Sequence, residues 1–291
     1  MSIRLSTSKD CRDAYRDILQ GFTYVEEKGF YIKHFKEIDL GFIEGIFKKC
    51  SKLAESEGLL RKKEKLKFLR ENEYWSEEEE NNFTSVSLAV KDGYEFLKKI
   101  KDPEQKKSFI KTNLTETEKK LEEIQKERYE LLEPTVESYC DREINEYYVY
   151  HALYKDKNLN KPFFTKEEFD DFSFIELSNI IRTYNYEISK FNEDNIRIIA
   201  VNYFFLNSFF MCDDDPVKFY GKNILDLTLY QLNLFSKGRL CKSVLVEGRE
   251  PPDQYLEESY ENGLPELVNW YDNAHNSIQN ERKSKSRQRG R

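Results

Sequence analysis

A chain of 291 residues with 38% hydrophobic side chains is long enough to bury a core without disulfide or metal staples. Its 47 basic and 54 acidic residues are mixed and leave a net charge of −7, which suits a solvated helical surface and argues against a protein that binds nucleic acid with its whole face. Only 11 Gly and 7 Pro argue against turn-rich sandwiches, barrels and glycine-rich phosphate loops, while 21 Phe and 19 Tyr mean that rings supply much of the core volume.

The opening MSIRLSTSKDCRD has no apolar run of the secretory type, so a soluble protein of the cytoplasm is expected. Asp13–Gln20 reads as a short helix. Phe22-Thr-Tyr-Val and Gly29-Phe-Tyr-Ile read either as a small hairpin or as extended arms. From Lys36 to Ala54, Leu40, Ile43, Ile46 and Cys50 recur at helical spacing, and Gly58 is suited to a left-handed stop. A basic helix over Leu59–Glu71 follows. Ser76 and Glu79 have capping-box spacing and start a helix that runs to Ile100, where Asp102-Pro103 breaks it. Thr115/Glu118 repeats the pattern before Glu116–Leu132. Pro134 then marks a restart, and Val136–Leu153 is helical. Thr165/Glu168 and Ser173/Glu176 predict two more starts, the second opening an amphipathic helix through Ile188.

The densest apolar stretch is Asn192–Val246, read as two helices joined by a turn. Ile196, Ile198, Ile199, Val201, Phe204, Phe205, Phe209 and Met211 crowd the first, which predicts the core around which the chain packs. At about 14 residues, and interrupted by Asn202, Asn207 and Ser208, its apolar part is too short to span a bilayer. Asp215-Pro216 reads as a helix start, Thr228 as a cap, and Gly238 as a break or kink before Leu240–Leu245. A last helix covers 263–280. The expectation is a mainly α protein, a multi-helix bundle-like array with an aromatic-rich core and little or no β. It divides into a charged helical region 1–110, an aromatic-rich helical core 111–280 and a disordered basic tail 281–291.

Few signals point to chemistry. Asp156, Asn158, Asn160 and Glu167 fall at positions 1, 3, 5 and 12 of a calcium-loop pattern, but Lys161 stands where the turn needs Gly, so a polar loop capped by Thr165 is the simpler reading. Cys212-Asp-Asp-Asp215 lacks a partner cluster. His34, His151 and His275 stand apart, and the five cysteines have no CxxC spacing, which predicts buried free thiols in a reducing compartment. No P-loop, nucleophile elbow or dinucleotide fingerprint is present, so a non-enzymatic protein without a cofactor is expected. The tail residues Arg282, Lys283, Lys285, Arg287, Arg289 and Arg291 suit phosphate backbones or an acidic protein face, a nucleic-acid adaptor being the alternative reading. Phe219, Tyr220, Tyr230 and Trp270 are the aromatic candidates for holding a partner's apolar segment, with intramolecular core as the competing and better-favoured role.

The order of Phe204-Phe205, Phe209, Phe219-Tyr-Gly-Lys222, Ile224-Leu225, Leu227-Thr228, Tyr230-Gln231 and Gly238, followed by a proline and a closing helix with Trp270, resembles proteins of tailed bacteriophages that assist or form the tail. The composition, rich in Lys, Asn, Tyr and Phe and poor in Ala, is also similar to that of AT-rich phage proteomes. The resemblance spans Asn192–Tyr271 and contains no catalytic motif. It implies an assembly chaperone or minor virion component, in the host cytoplasm or the particle, whose partners are other phage structural proteins or further copies of itself. It implies no membrane.

Overall fold

The computed structural model describes residues 5–100, 102–253 and 263–289, and the fold is mainly α. The chain forms two compact units, one of residues 1–42 and 145–291, the other of Ile43–Ile144. The divisions thus fall at 42/43 and 144/145, and neither lies near 110.

In the first unit, helix α1 (Ser8–Gln20) starts at Thr7, which exchanges capping hydrogen bonds with Asp10, and buries Cys11, Ala14 and Ile18 on one face. It stops at Gly21, whose φ of +81° is open to glycine at little cost. Strands β1 (Phe22–Val25) and β2 (Phe30–Lys33) pair antiparallel, Phe22 opposite Lys33 and Val25 opposite Phe30, and Gly29 (φ +68°) closes the turn. A third strand, β3 (Leu153–Tyr154), pairs on β2 with Tyr154 opposite Tyr31. The hairpin reading of 22–33 is therefore correct, and among the described residues the β content is one small three-stranded sheet.

Helix α2 (Glu37–Ser56) carries the chain into the second unit and α7 (Val136–Ala152) brings it out. Between them lie α3 (Lys62–Glu71), α4 (Glu77–Lys99), α5 (Pro103–Phe109) and α6 (Thr115–Leu132). Ser76 caps α4 in a full capping box and Asp102 caps α5 with Pro103 at its first position. Thr115, however, is no cap. A π turn, Ile110–Leu114, joins α5 to α6 without a break, and the Thr115 hydroxyl donates back to the Ile110 carbonyl (2.9 Å). Capping needs a residue in extended conformation, and nothing N-terminal to Thr115 stops the helix. Ala54, Val136 and Cys140 form one small core here, and Leu69, Trp75 and Leu132 a second.

The chain returns to the first unit through α8 (Lys166–Asp170) and α9 (Phe174–Ile188), capped as expected by Thr165 and Ser173. The apolar stretch expected as one helix is two, α10 (Glu193–Ala200) and α11 (Tyr203–Phe210). Asn202 divides them: its side-chain amide donates to the Ile198 carbonyl (2.7 Å), and its backbone carbonyl receives the amides of Phe205 and Leu206 (3.0 and 2.9 Å). Met211, placed in the core by the sequence, is 85% exposed beyond the end of α11.

After α12 (Pro216–Tyr220), helix α13 (Leu229–Val246) is continuous through Gly238. That glycine is not a kink. A Cβ there would lie 2.8 Å from Phe205 and 2.9 Å from Phe209, so its lack of a side chain lets two buried rings lie against the helix. The last helix, α14 (Gly263–Arg289), runs past the expected break at 281. Residues 281–289, rich in Arg and Lys and free of Gly and Pro, favour its continuation. The core of this unit joins α1, α10, α11, α13 and α14 around Ile196, Ile199, Phe205, Phe209, Leu234 and Val244.

Candidate binding site

The alternation of β2 sends Phe30, Ile32 and then His34 to one buried face. The His34 amide donates to the Gly21 carbonyl (3.0 Å), which holds the residue at the end of the strand. Its side chain is 1% exposed. Nε2 lies 2.9 Å from the Thr23 hydroxyl on β1, itself buried, and the ring stands steeply against Phe191 (4.7 Å) and Tyr230 (5.0 Å). Nδ1 is buried and has no hydrogen-bond partner. Burial lowers the imidazole pKa to about 3, so His34 is neutral at physiological pH. Near it, at the end of α1, burial raises the Asp17 carboxyl to about 6, against the lowering influence of Arg16, Lys190 and the Thr23 hydroxyl.

His34 lines a partly open cavity of about 270 Å³. Phe35, Tyr148, Tyr184 and Tyr230 line it together with Leu40, Ile188 and Leu229. Burial raises the phenols of all three tyrosines, Tyr230 to about 12, so they are neutral donors rather than bases. Lys33 also borders the cavity, with its ammonium 3.1 Å from Asp39. Such a site can hold one neutral ring or apolar side chain. An ionised ligand would meet the same desolvation that keeps His34 and the tyrosines neutral.

A second feature lies on the outer side of α2. Ile38 and Phe42 are 74% and 64% exposed and lie one turn apart, roughly 160° around the helix from Leu40. Gly41 shares their side of the helix. A Cβ at Gly41 would meet nothing within 4 Å, and its φ is not positive, so nothing within the chain requires glycine there.

Of the aromatic residues picked from the sequence, Tyr230 alone lines the cavity. Phe219 and Tyr220 pack on the core, Phe219 against Phe205 (5.7 Å) and Phe209 (5.5 Å), while the Tyr220 hydroxyl donates to the Gln231 carbonyl (3.0 Å). Trp270 packs on the same core, edge-on to Tyr271. In the loop after β3, Asp156 accepts from the amides of Asn160 (3.2 Å) and Lys161 (2.7 Å), Asn158 lies within the turn, and Glu167 sits in the first turn of α8. The Asp156 carboxylate thus shapes the loop. Among the described residues no group of three or more His, Cys, Asp or Glu is placed to hold a metal. Asp215 caps α12, and Asp213 and Asp214 pair with Lys218 and Lys242.

Arg282 pairs with Glu247 at the end of α13, and Lys283, Lys285, Arg287 and Arg289 belong to α14. Arg291 lies outside the described residues. All five cysteines are free and four are buried. Among the described residues no helix is long and apolar enough to cross a membrane. His34 and its cavity were missed because their parts are scattered over five elements. The one signal was the in-out alternation of Phe30, Ile32 and His34, which places a histidine on a core face. No protein-family model, curated protein or solved structure matches the chain.

Proposed function

We propose that this chain is a non-enzymatic, protein-binding assembly factor that engages its partner through helical faces, as a phage tail chaperone or minor virion component would. The observation that carries this reading is the outer side of α2, where Ile38 and Phe42 are exposed and Gly41 lies at the edge of their face. A mid-helix glycine costs about 1 kcal/mol of helix stability relative to Ala. Gly41 has no internal contact that explains that cost, whereas a partner helix lying close to the backbone would. Two exposed apolar side chains one turn apart are the anchors such a helix needs. The resemblance of 192–271 to tail proteins supplies the proposed context.

A photo-crosslinking amino acid at Phe42 in the native cell tests the reading. One or a few discrete adducts are expected, and Gly41→Leu, which holds the fold but blocks close approach, should abolish them. No adducts, or the same adducts as from a probe on α6, would count against the proposal.

A further inference from the structure

A groove in the second unit carries an inference that extends the protein-binding reading without depending on the α2 face. It lies between α4 and the continuous helix that runs from α5 through the π turn into α6. We propose that this groove takes the arginine side chain of a partner protein, with Asp92 as its counter-ion and Phe96 and Phe109 as its aromatic wall.

Local structure opens the groove. Gly93 lets α4 lie close to the π turn, since a Cβ there would stand 3.0 Å from Leu114 Cδ1. On α4, Asp92 and Phe96 are one turn apart, so carboxylate and ring share one wall. The π turn places Asn113 on the other wall, with Thr117 about a turn further along. Beside the groove the Tyr94 hydroxyl donates to Glu118, which ties α4 to α6. The space enclosed is about 390 Å³ and open to solvent.

The lining selects the charge and then the shape of the occupant. Asp92 is exposed and has no hydrogen-bond or salt-bridge partner among the described residues. Phe96, 51% exposed, stands 5.1 Å from Phe109. Ring faces attract cations, as the carboxylate does, so the two kinds of group favour the same ligand charge. The other polar groups can accept. Thr117 gives its hydroxyl proton to the Asn113 backbone carbonyl (2.7 Å), which leaves the hydroxyl oxygen as an acceptor, and the Asn113 side-chain oxygen is a second. Acceptors on two walls suit a guanidinium, whose five N–H donors spread in one plane and whose face stacks on rings. An ammonium is a compact, strongly hydrated point charge and gains less from such a site.

The test uses the full chain with ¹³C-methyl alanine and threonine, so that Ala89 and Thr117 report from the two walls. The probes are N-acetyl-arginine amide, N-acetyl-lysine amide, and N-acetyl-citrulline amide, which keeps the shape of arginine without its charge. Both methyl resonances should shift with the arginine probe. Its affinity should exceed that of the citrulline probe about fivefold, the gain of one exposed ion pair together with a cation–π contact. The lysine probe should fall between them. Asp92→Asn removes no internal bond, so the fold is kept, and it should bring the arginine probe down to the citrulline level. Equal affinity for arginine and citrulline, lysine binding as well as arginine, or unmoved methyls at tens of millimolar probe overturns the inference. The probes do not engage α2, so failure here and failure at Ile38 and Phe42 are told apart.

Discussion

Replacing Gly238 with Ala separates helix propensity from packing, because the two predict opposite signs. On propensity alone the change stabilises α13 by about 1 kcal/mol. The added methyl would, however, lie 2.8 Å from Phe205 Cζ and 2.9 Å from Phe209 Cδ2 and Cε2. Carbon atoms prefer separations of about 3.5–4.0 Å, so at least one ring must move by several tenths of an ångström. Neither has room. Both are fully buried and stacked on each other at 5.4 Å, and Phe209 also meets Phe235 at 5.1 Å. Forcing a methyl into such a core costs about 1–3 kcal/mol, and more where the neighbours cannot yield. The net expectation is a loss of up to about 2 kcal/mol, seen as a fall in Tm of up to roughly 8 °C by circular dichroism. Gly45→Ala is the control: nothing lies within 4 Å of its Cβ, so a gain of about 0.5–1 kcal/mol is expected there. If both substitutions stabilise equally, the packing argument at Gly238 is wrong.

Gln231 is fully buried and donates to the Ile18 and Leu19 carbonyls (2.9 and 3.0 Å), the free end of α1. Gln231→Leu removes both bonds and also the acceptor of the Thr228 amide (3.0 Å), and should cost about 2–4 kcal/mol in urea unfolding. Glu80, largely buried, takes both Arg128 nitrogens (2.8 Å each) and the Trp75 indole N–H (2.9 Å), so Glu80→Ala should cost about 2–3 kcal/mol with little salt dependence. Glu44→Ala, in an exposed pair with Lys48, should leave the urea midpoint unchanged. The pH dependence has two opposing parts. His34 titrates near 3 when folded against 6.5 ordinarily, so its contribution is lost as pH falls from 6.5 toward 3. Asp17, raised from 3.8 to about 6, binds its proton more tightly when folded and adds stability as pH falls through 6 toward 4. The stability of the wild type relative to Asp17→Asn should therefore rise by roughly 1–3 kcal/mol between pH 7 and pH 4, and a flat difference would remove Asp17 from the account.

Local signals were read correctly where chemistry and position agree over a few residues. Ser76/Glu79, Thr165/Glu168 and Ser173/Glu176 each cap a helix, and Asp215-Pro216 starts one. The same pattern failed at Thr115 because the preceding residues already form helix, and a capping box cannot act inside one. Asn202 failed in the opposite way: one side chain divides a stretch whose apolar spacing continues on both sides of it. Gly238 was read as a break because its partner rings lie on α11, about thirty residues away, and only the fold brings them together. The two residues of β3 have no pattern of their own and pair because β2 presents an edge. The cavity is the extreme case, since Thr23, His34, Tyr148, Tyr184 and Tyr230 share no spacing that a sequence could display.

The central claim is that the protein works by binding other proteins through its exposed helical surface. Its most direct test compares tagged wild type with Ile38→Lys/Phe42→Lys in quantitative mass spectrometry of retained proteins, set against the protein content of purified particles. The account predicts one or a few tail proteins retained by wild type at near-stoichiometric amounts and lost from the variant, whose helical content is unchanged. Presence in particles would mark a structural part, and absence a chaperone. Identical retained sets for the two chains, or nothing retained but nucleic acid, would contradict it.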